Sequence, residues 1–379
     1  MVDNEYPREG SILVNPLRRA DYRPPPAPSP RWFHQRLPGY AVTPLVEMPA
    51  LAASLDLERV FVKDEASRLG LPAFKMLGAS WAIYRALSER LGIASTDWAT
   101  IDDLKLLASP ARPLTLAAAT DGNHGRAVAR MARLLGFGGR IWVPSNTVPA
   151  RIAAIEGEGA TVHVCSGGYD DAVAASAEAA DAHTLVISDT SWPGYHTVPA
   201  WVIEGYETIL QEIDNQLGQL PDAVIVPIGV GALAAAVARH YRQSAPGPAL
   251  IGVEPIDAAC MMESVRAGKP IQLAHEQKSI MAGLNCGTPS PLAWPTVSAC
   301  FDMFVTVSDD EDIGAMRLFN RNGIFAGESG AASLAGLITV ARADAAFRET
   351  LAHSKIVLLS TEGITDPEFY ARHIDPASH

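Results

Sequence analysis

The 379-residue chain has only four cysteines, Cys165, Cys260, Cys286 and Cys300, and no two of them form a C-x-x-C pair. So few in so long a chain do not make a disulfide framework, which points to a reducing compartment and a cytoplasmic protein. The ten histidines include no H-x-x-x-H or H-x-H pair, so a metal site has no support in the spacing. Positive charge is also short, with 30 Lys and Arg against 42 Asp and Glu and a net charge of −12. Nucleic acids and anionic membranes need a basic footprint, so neither is expected as a partner. A small substrate stays open, because the field inside a pocket can oppose the net charge. Long apolar runs are missing as well. A run such as Ala232–Ala238 is far too short to span a bilayer, and the polar Met1–Gly10 lacks the basic-then-apolar pattern of a secretion signal.

What is present is an ordinary globular balance, 48% hydrophobic and 19% charged, long enough for two domains or one large one. Residues 1–40 are rich in Pro and Arg, notably Arg23-Pro24-Pro25-Pro26-Ala27-Pro28, and read as an extended arm outside the core. A strand at Val60–Val62 leads into Lys63-Asp64-Glu65, then a helix over Met76–Leu91, then a surface connection over 92–113. From Leu114 short apolar runs alternate with helical ones. Strands are expected at Leu114–Ala119, Arg140–Val143, Thr161–Val164 and Thr184–Ile187, with helices at Gly125–Leu135, Pro149–Glu156 and Asp170–Ala182. The alternation restarts with one long helix at Thr197–Leu217. Strands follow at Ala223–Val226, Leu250–Val253, Phe304–Val307 and Ile356–Leu359, between helices at Ala232–Tyr241, Ala258–Arg266, Glu311–Arg321 and Gly330–Ala341. Such runs mark parallel sheets buried on both faces, hence an α/β protein with two sheets. Ligands in such folds bind at the carboxyl ends of the strands, here in a cleft between the domains.

Four stretches carry chemistry. Lys75 lies between Phe74 and Met76 at the head of an amphipathic helix. Burial disfavours the charged form of a lysine, so a depressed pKa and a neutral, nucleophilic amine are expected. Alone, it reads rather as a solvated lysine whose stem lies on apolar surface. Gly229-Val230-Gly231-Ala232-Leu233 follows a strand and opens a helix, where backbone N–H groups and the helix N-terminus favour a phosphate. The same loop satisfies G-x-G-x-x-A, and Glu254 stands at the spacing of a dinucleotide acid, so an NAD-binding dehydrogenase is a competing reading. Thr120-Asp121-Gly122-Asn123-His124-Gly125 also joins a strand to a helix. Asn123 there can donate to a phenolic oxygen, or simply cap the helix, and Asp121 can make an Asx turn. Ser360-Thr361-Glu362-Gly363 ends the last strand with hydroxyls, which suit a pyridine nitrogen left unprotonated, or a strand-end turn. Together these favour the functional reading over accident.

Lysine after Phe, an Asn-containing glycine loop, a phosphate loop and a terminal-strand hydroxyl, in that order, resemble the fold-type II pyridoxal phosphate enzymes. That group includes serine and threonine dehydratases, cysteine synthase and the tryptophan synthase β chain. Within it the chain looks like the diaminopropionate ammonia-lyases. The resemblance runs through residues 63–75 and 119–125, Asp189-Thr190-Ser191-Trp192-Pro193-Gly194-Tyr195, Met281-Ala282-Gly283-Leu284-Asn285-Cys286-Gly287 and 360–363. In dehydratases the position of Asp121 usually carries serine. Ala73 and Met76 depart from many relatives.

The resemblance implies pyridoxal 5′-phosphate as cofactor and a small amino-acid substrate. It also implies a homodimer, a discontinuous large domain at 1–83 and 191–379, and a small domain at 84–190. It makes Lys75 the residue that binds the cofactor covalently and Asn123 the partner of its phenolic oxygen. Gly229, Val230, Gly231, Ala232 and Leu233 become its phosphate donors, and Ser360 or Thr361, with Ser360 favoured, the partner of its ring nitrogen. Lys75 would take the α-proton of an L substrate and Asp121 that of the D form, with Asp189 a substrate-side carboxylate. The implied reaction is α,β-elimination of 2,3-diaminopropionate to pyruvate and two ammonia. A sibling eliminase or dehydratase acting on serine or threonine is the nearest alternative, and a non-catalytic binding protein on the same scaffold is the remotest. Cys260 and Cys286 fall in segments expected near the cleft, as a pair or as two buried thiols.

Overall fold

The structure is a computed structural model that describes residues 10–243, 247–343, 351 and 353–374. Residues 1–9 of the expected arm therefore lie outside the described part. The strands are β1 Ile12–Val14, β2 Leu45–Glu47, β3 Arg59–Asp64, β4 Thr115–Ala119, β5 Gly138–Val143, β6 Thr161–Val164, β7 Thr184–Val186, β8 Ala223–Pro227, β9 Ala249–Pro255, β10 Met303–Val307 and β11 Lys355–Ser360. They form two sheets, and the fold is α/β.

One compact unit comprises the described residues of Met1–Pro26, Thr43–Ala66 and Glu212–His379. Its seven strands run in the order β1-β10-β9-β8-β11-β3-β2. The interior pairs are parallel and the two edges, β1 on β10 and β2 on β3, are antiparallel. Val60, Val62, Ile225, Ile251, Val253 and Leu358 are buried from these strands with Leu334, Ala335 and Leu337 of the helix Glu328–Arg342. Double burial is why these strands read as unbroken apolar runs. The strand-ending Lys63 is fully buried. Its Nζ donates to Glu212 Oε2 at 2.8 Å, Thr43 O at 2.9 Å and Gln216 Oε1 at 2.8 Å, so the buried charge is paired and hydrogen-bonded.

The other unit comprises Ala27–Val42 and Ser67–Gln211, around a parallel sheet in the order β6-β5-β4-β7. It reaches beyond 84–190 because the helix Lys75–Leu91 packs on the helix Thr197–Gly205 and is held there by close backbone approach. A Cβ on Gly205 would meet Leu77 O at 2.5 Å, and one on Gly78 would meet the Tyr206 ring at 2.6 Å.

Three elements differ from the sequence reading. The arm is not wholly outside the core: Ile12–Val14 is a strand, and Phe33 and His34, in the helix Arg31–His34, are fully buried. The connection 92–113 contains the helix Ile101–Leu107, started by a reciprocal capping box of Thr100 and Asp103. The expected helix 197–217 is two, Thr197–Gly205 and Glu207–Leu217, divided at Tyr206. Tyr206 is fully buried, with its ring 4.7 Å from that of Phe74.

The Gly78 contact gives a stability test. In an unconstrained helix interior Gly→Ala stabilises by about 1 kcal/mol. Gly78→Ala is expected instead to destabilise by about 1–3 kcal/mol, since the new methyl overpacks against Tyr206. Urea unfolding measures it, and a gain in stability would contradict this packing.

Candidate active site

In the unit that carries the small sheet, Lys75 is the first residue of its helix, and its side chain is 17% exposed. Nζ donates to Asp189 Oδ2 at 2.6 Å, and the Tyr169 hydroxyl donates to Asp189 Oδ1 at 3.1 Å. The ammonium also lies 5.4 Å from the centroid of the Phe74 ring. Asp189 itself is 4% exposed, three residues beyond the end of β7.

These neighbours reverse the charge state expected for the lysine. Burial does push the Lys75 pKa down, but the charges of Asp189, Tyr206 and Asp121 and the bond to Asp189 outweigh it and leave the pKa above the ordinary lysine value. Burial pushes Asp189 up, and Lys75, His124 and the Lys75 and Tyr169 bonds hold it well below the usual carboxylate range. The site thus holds an ion pair where the sequence suggests a dry, neutral amine. A buried lysine is neutral only when no carboxylate lies within reach.

The loop 120–122 is shaped by Thr120, whose Oγ1 accepts from Gly122 N at 2.8 Å and donates to Asp121 Oδ1 at 3.4 Å. Thr120 therefore makes a local side-chain turn. The helix Asn123–Leu135 has Gly122 at its N-cap and no side-chain cap bond, so Asn123 is not the cap. His124 is buried, with Nε2 2.8 Å from Ile187 O and Nδ1 without a hydrogen-bond partner. A ring nitrogen facing a carbonyl must carry the proton, and burial, with Lys75 beside it, keeps the imidazole pKa below its ordinary value. The Tyr206 hydroxyl is likewise buried without a hydrogen-bond partner, and burial raises its pKa.

In the other unit, Gly229–Gly231 joins β8 to the helix Ala232–Tyr241. Gly231 sits at the N-cap with φ +96°, a left-handed conformation that favours glycine, and no side chain caps the helix. A Cβ on Gly229 would stand 3.0 Å from Gly283 O and 3.1 Å from Cys286 Sγ. A helix N-terminus without a side-chain cap, behind a turn with glycine on either side of Val230, fits a phosphate group. At the end of β11 the two hydroxyls differ. Thr361 Oγ1 donates to Ser329 O at 3.1 Å, whereas Ser360 Oγ is fully buried with no hydrogen-bond partner. An unused buried hydroxyl suits a ring nitrogen of the kind the cofactor carries.

The dinucleotide reading loses its acid. Glu254 is fully buried, and its Oε1 and Oε2 accept from Met261 N at 2.7 Å and Met262 N at 2.8 Å. Both oxygens serve the start of the helix Cys260–Ala267, and full burial keeps the carboxyl away from a ribose. The four cysteines form no disulfide. Cys260 and Cys286 are buried, and Cys260 Sγ lies 3.7 Å from Gly229 O, so both sulfurs border the glycine turn. Among the described residues no group of three or more His, Cys, Asp or Glu could hold a metal ion.

Tyr169, Tyr195 and Tyr206 were not legible as site residues. Tyrosines fill cores and sites alike, and only Tyr195 lay inside a motif that drew attention.

The family model described as pyridoxal-phosphate dependent enzyme matches residues 36–362. Diaminopropionate ammonia-lyase of Escherichia coli strain K12 is 35% identical over 365 residues, 92% of this chain and 91% of that one. The enzyme of the same name from Salmonella typhimurium strain LT2 is 34% identical, covering 89% of each chain. The crystal structure of the Escherichia coli enzyme in complex with an aminoacrylate-PLP azomethine reaction intermediate matches with a TM-score of 0.87 and 32% identity over 98% of both chains.

Burial pushes the Glu254 pKa up to about 8, against two N–H donors that favour its charged form. Between about pH 4.5 and 8 the folded chain then keeps a proton that the unfolded chain has lost. Stability therefore falls as pH rises through that window. Glu254→Gln is expected to remove this component, so that urea unfolding at the two ends of the window differs less in the variant than in the wild type. Equal differences would contradict the assignment.

Proposed function

The chain belongs to the pyridoxal-phosphate-dependent enzyme family, and from that premise we propose that it catalyses α,β-elimination of D- and L-2,3-diaminopropionate to pyruvate and two ammonia. The observation that carries the reading is the Lys75–Asp189 pair, with Asp121 among the charges that act on the same amine. The ammonia-lyases named above are similar over nearly their whole length, which supports the substrate.

Bound pyridoxal phosphate supplies an electron sink for the charge left on the substrate α-carbon. The N–H groups of Gly229, Val230, Gly231, Ala232 and Leu233 would hold its phosphate, Ser360 rather than Thr361 would meet its ring nitrogen, and Asn123 its phenolic oxygen. Lys75 would be its covalent anchor. Asp189 orients the Lys75 amine and holds a proton on it until the amine is needed. Lys75 removes the α-proton of the L substrate, and Asp121 removes that of the D substrate, because opposite faces require separate bases. The β-ammonium leaves as ammonia, and one water converts the remaining unsaturated amino acid to pyruvate and the second ammonia. A substrate with two ammonium groups favours a site supplied with carboxylates.

We also place the enzyme in the cytoplasm as a homodimer. Four cysteines without a disulfide suit a reducing compartment, and among the described residues no helix is long and apolar enough to cross a membrane. The dimer rests on the family resemblance.

Steady-state assays on D- and L-2,3-diaminopropionate against serine test the substrate. Both diaminopropionates are expected to outrun serine, and faster turnover of serine would move the enzyme to the dehydratases. In the same assay Asp121→Asn is expected to lower kcat on the D form by about 10²-fold or more and on the L form far less. Equal losses would sink the two-base assignment.

A further inference from the structure

The segment Asp189-Thr190-Ser191-Trp192-Pro193-Gly194-Tyr195 carries a site carboxylate at one end and an aromatic pair at the other. The pair turns back on the carboxylate. The Tyr195 hydroxyl donates to Val186 O at 2.7 Å and accepts from Ser188 N at 3.1 Å. It thus bridges the last residue of β7 and the residue before Asp189. The Trp192 ring stacks on Tyr195 at 4.1 Å with an interplanar angle of 9°. Backbone bonds between the two residues, Tyr195 N to Trp192 O at 2.8 Å and Trp192 N to Tyr195 O at 3.3 Å, close the turn.

The remaining backbone groups near Asp189 are also held. Ile187 N donates to Ala117 O at 2.7 Å, Ile187 O faces His124 Nε2 at 2.8 Å, and Thr190 N donates to Ser188 Oγ at 3.2 Å. Two of these ties use a side-chain hydroxyl, those of Ser188 and Tyr195, and the Tyr195 one, which joins two backbone groups, can be removed without touching the backbone. A 2.6 Å charge-assisted bond tolerates little displacement of its acceptor. Holding the strand end therefore holds the ion pair.

We propose that Tyr195 is a positioning residue of the reaction: its hydroxyl, kept in place by the Trp192 ring, fixes the strand end that presents Asp189 to Lys75. This rests on the roles given above to Lys75 and Asp189. It accounts for the far end of the segment, since a phenylalanine would keep the stack and lose the bridge.

The test is Tyr195→Phe in the holoenzyme, with Asp189→Asn as reference. The pH midpoint of the cofactor's visible band reports the charge on the Lys75 nitrogen, which Asp189 favours. Tyr195→Phe is expected to lower that midpoint by about half a pH unit or more. It should also lower kcat on L-2,3-diaminopropionate by about tenfold or more, with KM within about twofold. Asp189→Asn should shift both further in the same direction. A wild-type midpoint and kcat in Tyr195→Phe, beside a shifted Asp189→Asn, would overturn the inference and leave the role of Asp189 standing. An unshifted Asp189→Asn would overturn that role, and the inference with it. Should Tyr195→Phe not fold, Trp192→Leu leaves the hydroxyl and removes its support. A lowered midpoint there supports the inference, and an unchanged one overturns it.

Discussion

The contact between the Lys75 amine and the Asp189 carboxylate is the constraint around which its unit is arranged. At 2.6 Å, with Asp189 almost wholly buried, it is a charge-assisted bond in a medium of low dielectric. Removing one partner of such a pair costs about 3–5 kcal/mol, because the other is left as an unpaired buried charge. The two side chains come from separate elements, a helix start and a strand end, so both must be placed accurately. Gly78 and Gly205 let the Lys75 helix lie close against its neighbour, while Tyr195 and His124 hold the strand end that carries Asp189. Reactivity at the lysine then depends on the carboxylate as much as on burial.

The larger sheet supplies features of the opposite kind, groups left without partners. The helix after Gly231 has no side-chain cap, and the Ser360 hydroxyl has no hydrogen-bond partner although fully buried. A buried hydroxyl without a partner costs about 1–3 kcal/mol, so it calls for an explanation. The polar groups beside these two are already engaged. Thr361 donates to Ser329 O, and Glu254 receives two backbone N–H groups. The contrast between engaged and unengaged groups fits a pyridoxal phosphate site better than a dinucleotide site, a difference the glycine spacing alone does not carry.

Much of this was legible in the sequence. Apolar runs are visible without partners, so the strands from β4 to β11 were readable to within a few residues, the mostly exposed β6 included. The loops at 120–123 and 229–233 announced themselves through glycine and asparagine between a strand and a helix. Elements defined by long-range contact were not readable. β1 is three residues long and exists because it pairs with β10, some 290 residues away in sequence. The break at Tyr206 reflects packing against Phe74 and Gly78, which no local pattern encodes. The sign of the Lys75 shift failed for the same reason. The sequence shows apolar neighbours at 74 and 76, but the carboxylate that decides the charge is 114 residues further on. The hydroxyl at 195 belongs to a motif of the sequence, yet its role appears only when the chain folds back onto Val186 and Ser188.

The central claim is that one amine, Lys75, held by Asp189, is the group that bonds the cofactor. Borohydride reduction of the holoenzyme followed by peptide mapping tests it most directly. The account requires the reduced cofactor on the peptide containing Phe74-Lys75-Met76. A label on any other lysine, or no covalent label at all, would contradict it.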